Sequence, residues 1–437
     1  MNNLRLLGML LCAASASCGA VTHAQTVVTL EEIFQSAEKG SNQLRSMISA
    51  QKETEKDIAV AKSALLPDIN AGLTLSFIGD GFTTKRNYTD YQVAKIPHLG
   101  TGLNINVNQP VYTGGALKNA IEMAEMKSTA SRFATDLSRM NIRFELTGYY
   151  LEIYKCHNLQ RVVESNIEAA ERMLRDMQAR YKQGTVLNND ITRYELLLSN
   201  LRLQKTKLEN TRLILNNNLV TLASLPENTI VEPDTTILQH ALPLNGESWW
   251  KSEAIIHSPT LKLSLQGIEM CKKAEQIVKS ERLPKVGLQA GWTMDGPILV
   301  EVPPINRNLS YWWIGVGVDY NISSLYKSNK SLAKAHAAIT HAVDEYDVAK
   351  EGIEMGIRAD YIKYLEAYEE LKTQEKSVEL ANKNYKTTST RYSADMALIT
   401  DMLDAANSRL DAEQQLVNAR INILYYYYKL LFTSGKI

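Results

Sequence analysis

The segment Asp68-Ile69-Asn70-Ala71-Gly72-Leu73-Thr74-Leu75-Ser76-Phe77 decides the fold. In an extended chain, successive side chains point to opposite faces. Ile69, Ala71, Leu73, Leu75 and Phe77 therefore fall on one face, and Asp68, Asn70, Gly72, Thr74 and Ser76 on the other. Three more segments alternate in the same way. Leu103, Ile105 and Val107 are set against Asn104, Asn106 and Asn108; Val286, Leu288, Ala290 and Trp292 against Gly287, Gln289, Gly291 and Thr293; Trp312, Ile314, Val316 and Val318 against Trp313, Gly315, Gly317 and Asp319. Runs of about nine to eleven residues with one apolar face suit a tilted transmembrane strand. A soluble antiparallel sheet, half buried on a helical layer, gives the same period. The small, Asn-rich second face and the aromatics Phe77, Phe82, Tyr311 and Trp312 near the strand ends favour the membrane reading, with Asn104, Asn106, Asn108 and Gln289 facing a wet lumen.

Outside the strands the pattern changes to helical. Tyr194, Leu201, Leu208, Leu215 and Leu222 recur every seven residues, and Ile191, Leu198 and Leu219 fill the complementary seam, which is coiled-coil spacing. Segments of roughly 115–182 and 327–393 would each extend on the order of 100 Å at the helical rise. Shorter helices are expected at roughly 31–63, 187–224, 247–281 and 398–433, with pairs of them matching one long helix in length.

The two halves echo each other. Ala61-Lys62-Ser63-Ala64-Leu65-Leu66-Pro67 returns 217 positions later as Val278-Lys279-Ser280-Glu281-Arg282-Leu283-Pro284, and Arg180-Tyr181 returns 211 positions later as Arg391-Tyr392, followed by Leu187 as Leu398 and Asp190 as Asp401. The expected organisation is mainly α with a β-barrel portion, as two tandem repeats of helix, strand, strand, long helix and helix. Repeat one covers about 25–224 and repeat two about 247–437, with β-hairpins at about 68–110 and 285–321. Residues 225–244, with Pro226, Pro233 and Pro243, read as the irregular part of a linker of about 225–246.

Composition agrees with a folded chain. The 437 residues carry 48 Lys plus Arg against 48 Asp plus Glu, and 45% are hydrophobic. The balanced charge and the lack of a basic arm give no reason to expect a nucleic-acid partner. Arg5, the apolar run 6–16 and the small residues after it form a secretory signal peptide over residues 1–24. Two processing sites compete: Thr22-His23-Ala24, freeing Gln25, and a lipobox that would acylate Cys18. The first is favoured because Ser15 stands where a lipobox usually has Leu. The remaining cysteines, Cys156 and Cys271, lack ligand spacing and are expected to be buried thiols, although a disulfide stays open. No mature stretch approaches the 18 apolar residues of a transmembrane helix.

Four strands cannot close a barrel around water, whereas three copies give twelve and room for a lumen. A search for chemistry is negative. H-E-x-x-H, G-x-S-x-G, the P-loop and G-x-G-x-x-G do not occur. His336 and His341 are five apart, off the i, i+4 face of a metal pair, and neighbouring Cys156 and His157 point apart. No enzymatic activity, cofactor or metal is expected. The Tyr425-Tyr426-Tyr427-Tyr428 run covers more than one helix face and suggests no specific function.

The chain resembles the TolC-type outer-membrane efflux proteins over nearly its whole mature length. The resemblance is carried by Leu30-Glu31-Glu32, by the Lys-Ser…Leu-Pro strand entries at 62–67 and 279–284, by Gln109-Pro110-Val111-Tyr112-Thr113-Gly114-Gly115 and by Arg180-Tyr181-Lys182-Gln183-Gly184. Its strongest part is Asp401-Met402-Leu403-Asp404-Ala405, continued by Ala412-Glu413-Gln414-Gln415-Leu416-Val417-Asn418-Ala419-Arg420. It implies a homotrimer with a 12-stranded barrel in the outer-membrane lipid and a long coiled-coil helical tunnel in the periplasm. The trimer would be a passive exit duct of a tripartite efflux or secretion system, docked to a periplasmic adaptor (membrane fusion) protein and an inner-membrane pump of RND or ABC type. The competing reading is a periplasmic coiled-coil adaptor or scaffold without a membrane barrel.

The resemblance also assigns residues. Asp401 and Asp404 correspond to an acidic periplasmic gate, with Tyr392 and Asp190 among the contacts that hold it shut. Arg180, Tyr181, Gly184, Leu187, Arg391 and Leu398 fall on the tips that receive the adaptor. Ala397 replaces an expected Arg of the closed gate, Ala394-Asp395 replaces Val-Gly, and Asn42-Gln43 replaces a frequent Asn-Pro. On the residues alone, Asp401 and Asp404 are three apart, share a helix face, and better suit two functionally silent acids at a helix N-terminus.

Overall fold

A computed structural model of the protein describes residues 25–234, 242–301 and 303–437. The expected signal peptide, with Cys12 and Cys18, lies outside the described residues. The chain divides into two compact units, one from residues up to 41, 145–242 and 368–425, the other from 42–144, 243–367 and 426–437.

In the first unit, strand β1 (Gln25–Val28) leads into helix α1 (Leu30–Gly40). Thr29 and Glu32 form a reciprocal cap: the Glu32 carboxylate accepts from the Thr29 amide at 2.8 Å, and the Thr29 hydroxyl accepts from the Glu32 amide at 3.3 Å. Helix α1 buries Leu30, Ile33, Phe34 and Ala37. The long helix α3 (Ala116–Lys182) ends in this unit, and α4 (Asn188–Ala223) follows. The presumed linker is not wholly irregular, since Ile230–Pro233 forms strand β6, parallel to β1. Asn216 holds β6 by donating to the Thr229 carbonyl and accepting from the Val231 amide, each at 2.9 Å. Tyr150 reaches the same place, donating to the Val28 carbonyl at 3.1 Å and accepting from the Asp234 amide at 2.7 Å.

The buried face of α4 starts on the expected seam, at Ile191, Tyr194, Leu198 and Leu201, then moves to Asn216, Leu219, Val220 and Ala223. Leu208, Leu215 and Leu222 are only half-buried. A straight α-helix drifts off a strict seven-residue stripe because it turns every 3.6 residues.

In the second unit, α2 (Asn42–Ser63) leads into β2 (Asp68–Phe77), and β5 (Leu99–Tyr112) leads out into α3. Between them lies a small hairpin, β3 (Gly81–Thr83) with β4 (Gln92–Ala94). Helices α5 (Glu247–His257) and α6 (Pro259–Ser280) precede β7 (Lys285–Gly296) and β8 (Leu309–Asp319). Helix α7 (Ser324–Ser393) then passes into the first unit, and α8 (Ile399–Thr433) returns.

The expected helix over 31–63 is broken at Ser41, and the one over 247–281 at Ser258. Both serines leave the helical region with nearly the same angles, φ −57° and ψ 122° or 117°. Pro259 explains the second break, since proline pushes its predecessor toward extended conformations. Ser41 takes the same bend with Asn42 after it.

Strands β2, β5, β7 and β8 form one antiparallel sheet in that order. Gly72, Asn104 and Thr293 lie in one cross-strand row, and Asn70, Asn106 and Gly291 in another. The alternation read from the sequence is therefore in register across the sheet. Among the helices of this unit, Trp250, Tyr364 and Tyr427 form an aromatic core, with Trp250 edge-on to Tyr427 at 6.3 Å.

Candidate functional site

The α3–α4 and α7–α8 turns share one backbone design. The Thr185 amide donates to the Arg180 carbonyl at 3.1 Å and the Gly184 amide to Tyr181 at 2.9 Å. In the second turn, Met396 donates to Arg391 at 2.8 Å and Asp395 to Tyr392 at 3.1 Å. This paired closure of the last carbonyls requires one left-handed residue. Gly184 supplies it at φ 78°, and Asp395 at φ 61°.

The side chains diverge. Tyr392 is 6% exposed, whereas Tyr181 is 48% exposed. Arg180 turns inward and donates to the Asp395 carboxylate and, at 3.3 Å, to the Tyr392 carbonyl, while its guanidinium lies 5.7 Å from the Tyr392 ring centre. Arg391 is exposed and donates to the Met396 carbonyl within its own turn at 3.3 Å. Burial raises the Tyr392 phenol pKa above its ordinary value; the Asp190 charge adds to the rise and Arg180 opposes it. Beneath the turns, Tyr392, Ile399 and Met402 pack with Val163, Met177, Val186, Ile191 and Tyr194.

Asp190 and Asp401 occupy the third position of α4 and α8. The Asp401 carboxylate accepts from the Leu398 amide at 3.1 Å, satisfying one of the free donors of the helix start. Asp401 and Asp404 are exposed on one face, and Asp190 is half-buried. Leu187 and Leu398 are 71% and 69% exposed, and Met396 is also exposed, so the turns present an apolar surface.

The sheet has two unlike faces. Ile69, Leu73, Leu75, Leu288, Ile314 and Val316 are exposed on one. On the other, polar or bulky side chains lie over glycines. Trp313 covers Gly291 so closely that a Cβ there would stand 2.5 Å from its ring nitrogen, and Asn104 covers Gly72 at 2.8 Å. Asn104, Asn106, Asn108 and Gln289 all belong to this face.

A family model described as outer membrane efflux protein matches residues 33–224 and 250–432. The chain belongs to that family. It is 20% identical over 430 residues to the outer membrane efflux protein BepC of Brucella suis, covering 98% of this chain and 90% of that protein. It is 22% identical over 420 residues to the outer membrane protein TolC of Vibrio cholerae, covering 94% and 91%. Its fold matches that of the outer membrane protein VceC of Vibrio cholerae with a TM-score of 0.76 at 16% identity, covering 93% of this chain and 96% of that one. This efflux protein is thus an outer-membrane protein with a periplasmic helical part.

Tyr392 and Asp190 come together electrostatically, while Asp401 and Asp404 are exposed on the surface. Tyr181, Gly184, Leu187, Arg391 and Leu398 are exposed at the turns, but Arg180 faces its neighbour turn rather than solvent. His336 lies 3.0 Å from Glu275 and His341 3.7 Å from Glu345. Cys156 is a buried free thiol; Cys271 is also free but only half-buried. Asp395 was missed as a partner of Arg180. The one signal in the sequence was an acid standing where a turn glycine belongs.

Proposed function

We infer that this efflux protein is the passive exit duct of a tripartite export system, a homotrimer whose three four-stranded sheets close a twelve-stranded barrel. The observation that carries this reading is the sheet itself. It has two open edges, β2 and β8, and its strands are of membrane-spanning length. An open edge is costly in lipid, and closure on other copies removes it. Glycines on the Asn-bearing face suit the crowded concave side of a curved sheet, and the apolar face suits lipid. Neither the two tandem repeats nor the reading of residues 1–24 as a signal peptide is needed for closure, and both remain part of the proposal.

At the periplasmic turns, Asp401 and Asp404 would meet their symmetry mates as six carboxylates around one axis, which favours cations. Tyr392, Asp190, Arg180 and Asp395 hold the two turns of one protomer together. They do so without Ala397, which has no charge to offer. Leu187, Leu398, Met396, Tyr181 and Arg391 form the surface for an adaptor, whose binding favours the open arrangement, while an inner-membrane pump supplies the energy.

The test is planar-bilayer conductance of the purified protein in a salt gradient, wild type against Asp401→Asn with Asp404→Asn. Discrete channels whose cation preference falls in the double mutant are expected. Channels with unchanged selectivity would move the constriction elsewhere, and a folded trimer without channels would sink the duct. Leu73→Arg, Ile105→Arg, Leu288→Arg and Val316→Arg should each impair outer-membrane assembly, at roughly 2–4 kcal/mol per charge near the bilayer midplane.

A further inference from the structure

We propose that the β3–β4 arm is a lipid-docking element, which lies against the outer leaflet and binds the phosphate groups of its lipids. The topology sets its location. Helices α2, α3, α6 and α7 all join the sheet at one end, through the starts of β2 and β7 and the ends of β5 and β8. The helical part is periplasmic. The connections at the opposite end, residues 78–98 and 297–308, therefore lie on the outer side of the membrane. The proposal rests on that orientation and is independent of how the periplasmic turns are gated.

The arm is a two-stranded hairpin with no third strand, pairing Gly81 with Ala94, Phe82 with Val93 and Thr83 with Gln92. Such a hairpin is marginal in water unless something covers its apolar face. One face is small and closed by its own chain: Gly81 packs against Ile96, whose amide is held by the Asp80 carboxylate at 3.0 Å. The other face carries Phe82, Tyr91 and Val93, all more than 60% exposed, with Phe82 stacked on Tyr91 at 5.0 Å. At the hairpin's tip, Tyr88 is almost wholly exposed. Aromatic rings with a polar edge are the side chains that settle at a membrane interface.

The charges select the surface. Both acids of the arm are engaged within it, Asp80 with the Ile96 amide and Asp90 with Lys85 at 3.2 Å. Arg86 and Lys95 are exposed and have no ion-pair partner among the described residues. With Lys85, Arg86 and Lys95 against Asp80 and Asp90, the arm carries a net charge of +1, and a guanidinium matches phosphate in shape as well as sign. The arm also continues the lipid-side row of the sheet. Phe77, the last apolar residue of β2, stacks on His98 at 5.2 Å, where the chain returns from the arm into β5.

The experiment places the photo-crosslinking residue p-benzoylphenylalanine at Val93 in the full-length protein. The protein is reconstituted in nanodiscs of phosphatidylcholine alone or with phosphatidic acid, whose headgroup is a phosphate monoester. Lipid adducts are expected, enriched when phosphatidic acid is present. Each basic residue near an anionic surface strengthens docking about fivefold, so Arg86→Gln with Lys95→Gln should reduce the adducts about 25-fold. Lys285→Gln, at the other end of the sheet, should leave them unchanged. Adducts to a second copy of the chain, adducts equally abundant without phosphatidic acid, or adducts indifferent to the double mutation would each overturn the proposal. Conductance of the same samples separates it from the duct: channels without lipid adducts remove the arm's role alone, and lipid adducts without channels remove the duct alone.

Discussion

The Gly184 turn and the Asp395 turn solve the same backbone problem with opposite commitments. Gly184 takes the left-handed conformation without steric cost and leaves Tyr181 and its surroundings facing solvent. Asp395 takes it as an acid, a residue type that tolerates that region better than most, and its carboxylate is met by Arg180 from the other turn. Behind it, Tyr392 is buried where Tyr181 is not. One turn thus leaves its tyrosine in solvent, and the other buries its own and is fastened to its neighbour. The difference lies in side chains alone, since both closures use the same pair of backbone hydrogen bonds.

The strongest way to break this contrast is to truncate the two tyrosines. Tyr392→Ala removes a ring from the packed cluster beneath the turns and should destabilise the helical tip by about 3 kcal/mol, in the range for buried aromatic truncation. Tyr181→Ala should cost about 0.5 kcal/mol or less, as expected for an exposed site. Thermal unfolding followed by helical circular dichroism measures both. Equal shifts would mean that the two turns are equivalent in the assembled protein.

The contrast was only partly legible in the sequence. The sheet was, because period-two alternation in four segments leaves little freedom of register, and the long helices were, because their apolar spacing is sustained. Arg180, Tyr181 and Gly184 marked the first turn, since a glycine after a basic helix end is itself a closure signal. Asp395 carried no such signal, because the partner of its carboxylate, Arg180, lies 215 positions away in the chain. Strand β6 is four residues long and depends on Asn216, Tyr150 and β1, all distant in sequence. The break at Ser41 lacks the proline that announces the one at Ser258. Long-range partners and short elements escape local pattern; sustained periodicity does not.

Removing the fastening is the next smaller effect. Arg180→Ala loses the ion pair, the hydrogen bond to the Tyr392 carbonyl and the contact with its ring, together about 1–2 kcal/mol after allowing for the solvent around Asp395. Arg391→Ala should change stability by about 0.5 kcal/mol or less. If the fastening holds the closed duct, Arg180→Ala also raises open probability in planar bilayers, and Arg391→Ala leaves it alone. Asp395→Gly sharpens the point. It gives the left-handed position its best residue and removes the ion pair, so the melting temperature should stay nearly constant while its salt dependence weakens. The reciprocal Gly184→Asp has no cation waiting and should cost about 1 kcal/mol.

The smallest expected effect is absent at neutral pH and appears only in alkali. Burial raises the phenol pKa of Tyr392, and that of Tyr194 as well, where Tyr385 adds to the rise. A phenol is neutral when protonated, so a raised folded-state pKa means that the native protein holds its proton where the unfolded chain has lost it. The stability linked to these groups is then fully present below the unfolded tyrosine value of about 10 and falls as pH rises through the folded values. Wild-type stability should decline steeply above about pH 10. Tyr392→Phe and Tyr194→Phe keep the ring and remove the proton, so each should flatten that decline, while Tyr181→Phe, on the open turn, should not. An unchanged alkaline slope in Tyr392→Phe would show that the phenol is hydrated in the assembled protein, and the two turns would then differ in packing but not in electrostatics.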